Sequence, residues 1–141
     1  MTTTNPQEHW YWRRESVPAG AAVVVDIDGV LADASGRQLL RGSGDWRSFF
    51  DACDQDPLID ETSTLLNLLD PSLRVLLVTG RPRRVQTKTV EWLERFHVRW
   101  DLLVTRDFGD YSDGRWAWLL LDPVVTEAYS AKGHLGLWEW D

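Results

Sequence analysis

The chain has 141 residues, 43% of which are hydrophobic, and it carries a formal net charge of −7. This length predicts one domain with a sizeable core. The charge argues against a broad polyanion-binding surface, because nucleic-acid affinity rests on Lys and Arg neutralising phosphates. Cys53 is the single cysteine, which excludes an intrachain disulfide and a cysteine-rich zinc site.

The N-terminal residues are polar, and no apolar segment typical of a signal peptide follows them. The apolar runs elsewhere are far too short to span a bilayer, so we expect a cytoplasmic protein that has no membrane partner. Residues 1–20 are predicted to form an N-terminal extension that is partly disordered. Residues 21–141 are predicted to form a single domain with a small insert at residues 34–58.

The first predicted elements are a strand and two helices. Residues 21–25 form a short apolar run rich in valine, which is typical of a strand buried on both faces of a parallel sheet. Asp45 is placed to cap a short helix. Asp60 is placed to begin a second helix, which has Leu65 and Leu68 on its apolar stripe.

The second half of the chain alternates between strands and helices. Strands are expected at residues 73–78, 101–105, 116–121 and 134–138, and helices at residues 83–96 and 123–132. This alternation predicts an α/β domain of Rossmann-like architecture, with a mostly parallel sheet of about five strands flanked by helices.

Polar side chains follow the ends of these strands. Asp26 and Asp28 follow the first strand, Thr79 and Gly80 the second, and Asp122 the fourth. Ligand sites in open α/β sheets form beyond the carboxyl ends of the strands, and clustered carboxylates suit Mg²⁺ together with a phosphate. Asp26 is then placed to attack phosphorus as a nucleophile, and Thr79 and Gly80 are placed to hydrogen-bond a phosphate oxygen.

Some of these features also have a simpler interpretation. Asp28 and Gly29 between apolar runs are a hairpin signal, and Asp122 before a proline is typical of a helix N-cap. The site interpretation is favoured because two strand ends independently supply residue types that bind phosphate or metal.

Several stretches of the sequence resemble a known family. "DIDGVLAD" at residues 26–33 and "LLVTGRP" at residues 76–82 resemble motifs I and II of the haloacid dehalogenase-like (HAD) phosphohydrolases. Other stretches resemble the branch related to the phosphatase domain of polynucleotide kinases, namely "DASGR", "DWRSFFDAC", "DPLIDE", "WDLLVTR" and "LLLDPVVTEAYSAKG". The resemblance implies a HAD-like fold with a minimal cap.

The resemblance also implies roles for individual residues. The first motif I aspartate of such enzymes is the nucleophile, which matches Asp26, and the second is the acid and base, which matches Asp28. Thr79 matches the motif II hydroxyl that binds the phosphate. Asp122 matches a motif IV acid that holds Mg²⁺ together with Asp26 and Asp28.

One residue that the family expects is missing from the pattern. The family has a lysine on a helix before the fourth strand, but here residues 106–115 lead almost directly into that strand. Arg81, Arg106 and Arg115 are the candidates to bind the substrate phosphate instead, although arginine is not a neutral replacement for lysine. The shortened link also allows a homodimer that exchanges its C-terminal segments.

Three functions fit these residues. The first is a Mg²⁺-dependent phosphatase that works through an aspartyl-phosphate on Asp26 and acts on a phosphorylated small molecule or a nucleic-acid end. The second is a catalytically degenerate HAD-like protein with a binding or scaffold role. The third is a signalling switch phosphorylated on Asp26, which the absence of lysine from residues 134–141 argues against.

Overall fold

A computed structural model of the protein describes residues 9–15 and 20–106. Several predicted features lie outside these residues, namely the strands at 116–121 and 134–138, the helix at 123–132, Arg115, Asp122, and the C-terminal segment expected to exchange in a homodimer.

The described strands form one sheet with the order β1-β4-β3-β2. Their bounds are Trp10–Trp12 for β1, Ala22–Val25 for β2, Arg74–Pro82 for β3 and Leu102–Arg106 for β4. Strands β2, β3 and β4 pair in parallel, whereas β1 pairs antiparallel to β4. The α/β class is therefore confirmed. Within the described ranges the sheet has four strands and is mixed rather than fully parallel, because β1 runs antiparallel to β4, and two of the expected strands lie outside these ranges.

Strand β1 comes from the segment predicted as an N-terminal extension. Trp10 and Trp12 contribute to an apolar cluster with Val104 on one face of the sheet, and Tyr11 lies 6.1 Å from the Trp100 ring on the other. Three alternating aromatic residues are too short a run to identify as a strand from their pattern. They nevertheless carry enough apolar area to hold an edge position.

The helices are short and lie in the connections between strands. Their bounds are Gln38–Gly42 for α1, Trp46–Asp51 for α2, Asp60–Leu68 for α3 and Gln86–Arg95 for α4, with 3-10 turns at Ala34–Arg37, Cys53–Gln55 and Arg83–Val85. Asp45 caps α2 as predicted, because its carboxylate accepts a 3.1 Å hydrogen bond from the Ser48 backbone N–H. A membrane-crossing helix, which must be long and apolar, is not found within the described ranges.

Helices α3 and α4 pack on one face of the sheet and form the main core with it, through residues such as Leu66 and Trp92. The apolar stripe predicted for α3 was wrong, because Leu65 and Leu68 are 59% and 78% exposed whereas Leu66 is 2% exposed. Because residues 65–69 contain four leucines, the sequence does not determine which face of this helix packs against the sheet. Packing against the sheet decides it.

Candidate active site

The parallel pairing of β2 and β3 brings two groups of polar residues to one edge of the sheet. Val25 pairs with Leu77, so the residues that follow β2 lie beside the last residues of β3. Asp26 and Asp28 belong to the first group and Arg81 to the second. The Arg81 side chain contacts Asp28 directly, so the ends of these two strands form a single site.

A tight turn follows Asp26 and leads the chain into the insert. Ile27 is fully buried, and its carbonyl accepts hydrogen bonds from the N–H groups of Leu31 and Ala32 at 2.8 and 2.9 Å. Gly29 has a φ of 82°, which a residue without a Cβ adopts at little cost. Strand β2 pairs with β3 rather than with the chain after this turn. The segment is therefore not the β-hairpin that its Asp-Gly pair also allowed.

Asp26 is a partly buried carboxylate, and its Oδ1 accepts a 2.7 Å hydrogen bond from the Ile27 backbone N–H. Burial raises the pKa of Asp26 to about 7, while the Ile27 N–H group lowers it, the charge of Asp28 raises it further, and Arg81 lowers it. Near neutral pH, Asp26 without a bound cation therefore holds a proton more readily than an ordinary carboxyl. A cation beside it favours the carboxylate form.

Asp28 is held by two arginines from different parts of the chain. Its Oδ1 accepts a 2.8 Å hydrogen bond from Nη2 of Arg81 and another of 2.8 Å from Nη2 of Arg37. Nε of Arg81 lies 3.2 and 3.3 Å from the two oxygens of Asp28. Arg81 comes from the end of β3, and Arg37 comes from the 3-10 turn at the start of the insert.

A second carboxylate, Asp56, completes this arrangement. Arg37 contacts it with two donors, Nε to Oδ1 at 2.8 Å and Nη2 to Oδ2 at 2.6 Å. Nη2 of Arg81 lies 3.6 Å from Oδ2 of Asp56. We call Asp28, Arg37, Asp56 and Arg81 the arginine–aspartate cluster. Its two positive and two negative charges balance, as buried charges must if they are not to be strongly destabilising.

The arginine–aspartate cluster sets the protonation state of Asp28. Burial works to raise the pKa of this carboxyl, but the charges and hydrogen bonds of Arg81 and then of Arg37 outweigh it and hold the pKa below its ordinary value. The two aspartates that flank Ile27 therefore differ, because Asp26 tends to be protonated and Asp28 is held ionised.

The predicted substrate-binding residues lie in different surroundings. Thr79 is fully buried, and its Oγ1 accepts a 3.1 Å hydrogen bond from the Arg81 backbone N–H, while Gly80 is half-buried. The Arg81 guanidinium is fully buried and also donates to Thr89 at 3.1 Å. It is thus directed at protein groups. Arg115, the remaining predicted member, lies outside the described residues.

Sequence reasoning assigned no role to Arg37 or Asp56. Both lie within stretches that resemble the polynucleotide kinase branch, "DASGR" and "DPLIDE", and that position was the available signal. Both are buried, at 4% and 5% exposure, which is unusual for charged residues unless they are paired. Arg106, at the end of β4, is also buried, and its guanidinium carbon lies 5.5 Å from the centre of the Phe50 ring.

The donor chemistry of the site fits Mg²⁺ in part. Asp26 supplies hard carboxylate oxygens, which Mg²⁺ prefers. The Asp28 oxygens are hydrogen-bonded to guanidinium groups, which leaves this side chain poorly suited to a metal. Within residues 9–15 and 20–106, no group of three or more His, Cys, Asp or Glu side chains is arranged to hold a metal ion. The third predicted ligand, Asp122, lies beyond that part of the chain.

Comparison with known proteins finds similarity only at the level of structure. No family model and no curated protein matches the chain. A chain in the structure of a Pnkp1/Rnl/Hen1 complex is 26% identical, with a TM-score of 0.59 over 78% of this chain and 36% of that one. A chain in the structure of the Pnkp1/Rnl/Hen1 RNA repair complex is 22% identical, with a TM-score of 0.61 over 89% of this chain and 43% of that one. The protein thus shares a fold with parts of these chains and spans less than half of their length.

Proposed function

We propose that the protein is a HAD-like phosphomonoesterase that forms an aspartyl-phosphate on Asp26. The observation that carries this proposal is the pair of unlike carboxylates at the end of β2. Asp26 is partly buried and engaged by one backbone N–H, whereas Asp28, two residues on, is ion-paired to buried arginines. Pairs of titratable groups whose surroundings push their pKa values apart are typical of acid–base and nucleophilic sites.

Each aspartate has a role in this reaction. An oxygen of ionised Asp26 attacks phosphorus, and the bond from phosphorus to the leaving oxygen breaks. The leaving oxygen takes its proton from solvent, because the two arginines hold Asp28 ionised and without a proton to donate. Water then attacks the phosphorus of the aspartyl-phosphate, which releases inorganic phosphate and restores the Asp26 carboxylate. Asp28 is placed to take the proton from that water, because its arginine partners favour its ionised form.

Magnesium is the proposed cofactor, with Asp26 as the ligand that this part of the chain supplies and Asp122 as the further ligand proposed from the sequence. When bound, Mg²⁺ supplies positive charge that offsets the repulsion between a carboxylate and a phosphate and favours the ionised nucleophile. The arginine–aspartate cluster does not supply that charge, because its own charges cancel.

A nucleotide or nucleic-acid end is the proposed substrate. Two observations support it: the fold shared with chains of an RNA repair complex, and an insert of only short helices, which is too small to enclose the site as a cap domain. An open site admits a phosphate at the end of a large molecule. A binding role without turnover is the second candidate, and it is favoured by the guanidinium contacts that occupy the Asp28 oxygens.

The test is hydrolysis of an aryl phosphate with Mg²⁺ or with EDTA. We expect turnover that requires Mg²⁺ and that Asp26→Asn abolishes, because the amide cannot attack phosphorus as a carboxylate does. Asp33→Asn is the matched control, since Asp33 lies in the same motif but only caps the 3-10 turn through Ser35. Absence of Mg²⁺-dependent turnover, combined with a rise in Tm on adding Mg²⁺, would establish the binding role instead.

A further inference from the structure

Asp56 is a buried carboxylate that the proposed reaction does not use. It comes from the far end of the insert, 19 residues after Arg37, and it is 5% exposed. Its carbonyl accepts a 2.8 Å hydrogen bond from Nε1 of Trp92, a fully buried residue of α4. This bond fixes the Asp56 backbone to the core, so that its side chain is a fixed point within the site.

The Arg37 guanidinium is held from several directions. Asp56 accepts from Nε and Nη2, the Phe49 carbonyl accepts from Nη1 at 2.8 Å, and the guanidinium carbon lies 4.3 Å from the centre of the Phe49 ring. With these contacts made, Nη2 also reaches Asp28 at 2.8 Å. A two-pronged contact with a carboxylate fixes the plane of a guanidinium as well as its position, so Asp56 determines where Nη2 lies.

We propose that Asp56 is a positioning residue of this site. It orients the Arg37 guanidinium so that the shared Nη2 donor fixes the Asp28 carboxylate at its place beside Asp26. Asp56 touches no reacting atom and acts mainly through Arg37, which it holds at 2.8 and 2.6 Å, whereas Nη2 of Arg81 lies farther away at 3.6 Å. This inference rests on the proposed function, because Asp28 needs a fixed place only if it takes part in a reaction at Asp26.

Asp56 is also needed to balance the charges of the arginine–aspartate cluster. Without Asp56, the two guanidiniums share the single negative charge of Asp28, and one buried positive charge is left over. Removing one partner of a buried ion pair is strongly destabilising, whereas replacing both partners together is much less so. Positioning and charge balance can therefore be separated by comparing single and double variants.

The experiment uses the full chain and steady-state hydrolysis of an aryl phosphate with Mg²⁺, well below the Tm of each variant. For Asp56→Asn we expect kcat to fall by roughly 10- to 100-fold with KM nearly unchanged, because a small misplacement affects the chemical step. Asp54→Asn is the matched control, since Asp54 belongs to the same insert but lies near the surface, 3.9 Å from Lys88. We expect this control to keep the wild-type kcat.

The double variant separates positioning from folding. Arg37→Met with Asp56→Asn removes one charge of each sign, so we expect its Tm to exceed that of either single variant. Its kcat should nevertheless stay close to that of Arg37→Met alone, because Asp56 acts mainly through Arg37. If Asp56→Asn keeps the wild-type kcat, or lowers kcat equally in the Arg37→Met background, the positioning role is wrong.

A second readout does not depend on turnover. The buried Nε–H group of Arg37 donates to Asp56, so its NMR signal should be protected from hydrogen exchange in the wild type and lose that protection in Asp56→Asn. If the wild type has no turnover, the proposed function fails even though protection is seen. If turnover is seen but the Arg37 signal is equally protected in both proteins, only the role of Asp56 fails.

Discussion

The two ends of the parallel strands use charged side chains in different ways: those at the amino ends, here called the amino edge, are half-buried, and those at the carboxyl ends, the carboxyl edge, are mostly buried. At the amino edge, charged side chains bind the backbone: Asp101 accepts a 2.7 Å hydrogen bond from the Val75 N–H, and Arg99 donates to four carbonyls between residues 66 and 73. At the carboxyl edge, Asp28 and its partners bind one another. Charges at the amino edge thus complete hydrogen bonds of the backbone. Those at the carboxyl edge mainly neutralise one another, although Arg37 also donates to the Phe49 carbonyl and Arg81 to Thr89.

This contrast supports the place that we propose for the site. A buried ion pair is weak support for stability, because desolvation offsets much of its attraction and a well-packed apolar replacement is often as stable. The amino edge shows that this chain can meet structural needs with backbone contacts. Buried charges whose main partners are each other are consistent with the reaction that we propose at Asp26.

The largest predicted effect is at Arg81. Arg81→Met removes a fully buried partner of Asp28 and should lower the free energy of unfolding by about 3–5 kcal/mol, because Arg37 alone is left to neutralise both Asp28 and Asp56. Urea unfolding monitored by tryptophan fluorescence measures it. A loss below that of Arg99→Met would contradict the contrast between the edges.

The next effect is pH-dependent and concerns Asp26. Its pKa is raised from 3.8 to about 7 in the folded state, so its contribution to stability is fully present below pH 3.8 and is lost as the pH rises through 7. Asp26→Asn does not undergo this loss. With EDTA present, the variant should gain roughly 1–3 kcal/mol over the wild type between pH 5 and pH 8. A difference that stays constant across this range would contradict the raised pKa.

A smaller effect is expected at the amino edge. Arg99→Met removes hydrogen bonds to backbone carbonyls that are exposed or partly buried, and water can replace several of them. We expect a loss of about 1–2 kcal/mol with no change in kcat per folded molecule. Urea unfolding and the aryl phosphate assay provide the two values, and a fall in kcat would show that the amino edge also serves the site.

The smallest effect is expected for the exposed pair between Arg13 and Glu94. Nε of Arg13 lies 3.0 Å from Oε1 of Glu94, but the two side chains are 32% and 47% exposed. Glu94→Gln should therefore change the free energy of unfolding by no more than about 1 kcal/mol, and the change should shrink in high salt. A larger, salt-independent loss would show that the bond from Trp100 to the same carboxylate is the important contact.

The features of this molecule that could be predicted from the sequence are those that depend on local sequence patterns. The apolar run before Asp26 and the helix that begins after Pro82 were found from composition and periodicity. Strand β1 was missed because three residues are too few to show a period. The rotation of α3 was wrong because Leu65 and Leu66 look alike until the sheet is present.

The residues of the candidate site also divide into those that could be predicted from the sequence and those that could not. Asp26, Asp28 and Thr79 could be placed at one edge because parallel strands end together. Arg37 and Asp56 could not, because their contacts depend on how the insert folds back over α4, and no period relates residues that lie 9 and 19 positions apart. The residue type alone does not show whether an arginine is buried or exposed.

Because the chain is synthesised from its N-terminus, the contact between Asp28 and Arg37 can form before the contact between Asp28 and Arg81. Asp28 leaves the ribosome 53 residues before Arg81, the partner that strand β3 delivers, but only 9 residues before Arg37. Until β3 has been synthesised, Arg37 is the one of these two arginines that is available to pair with Asp28. The insert can thus supply one counter-charge to Asp28 during the early stage of folding, and Arg81 of β3 later completes the charge balance with Asp56.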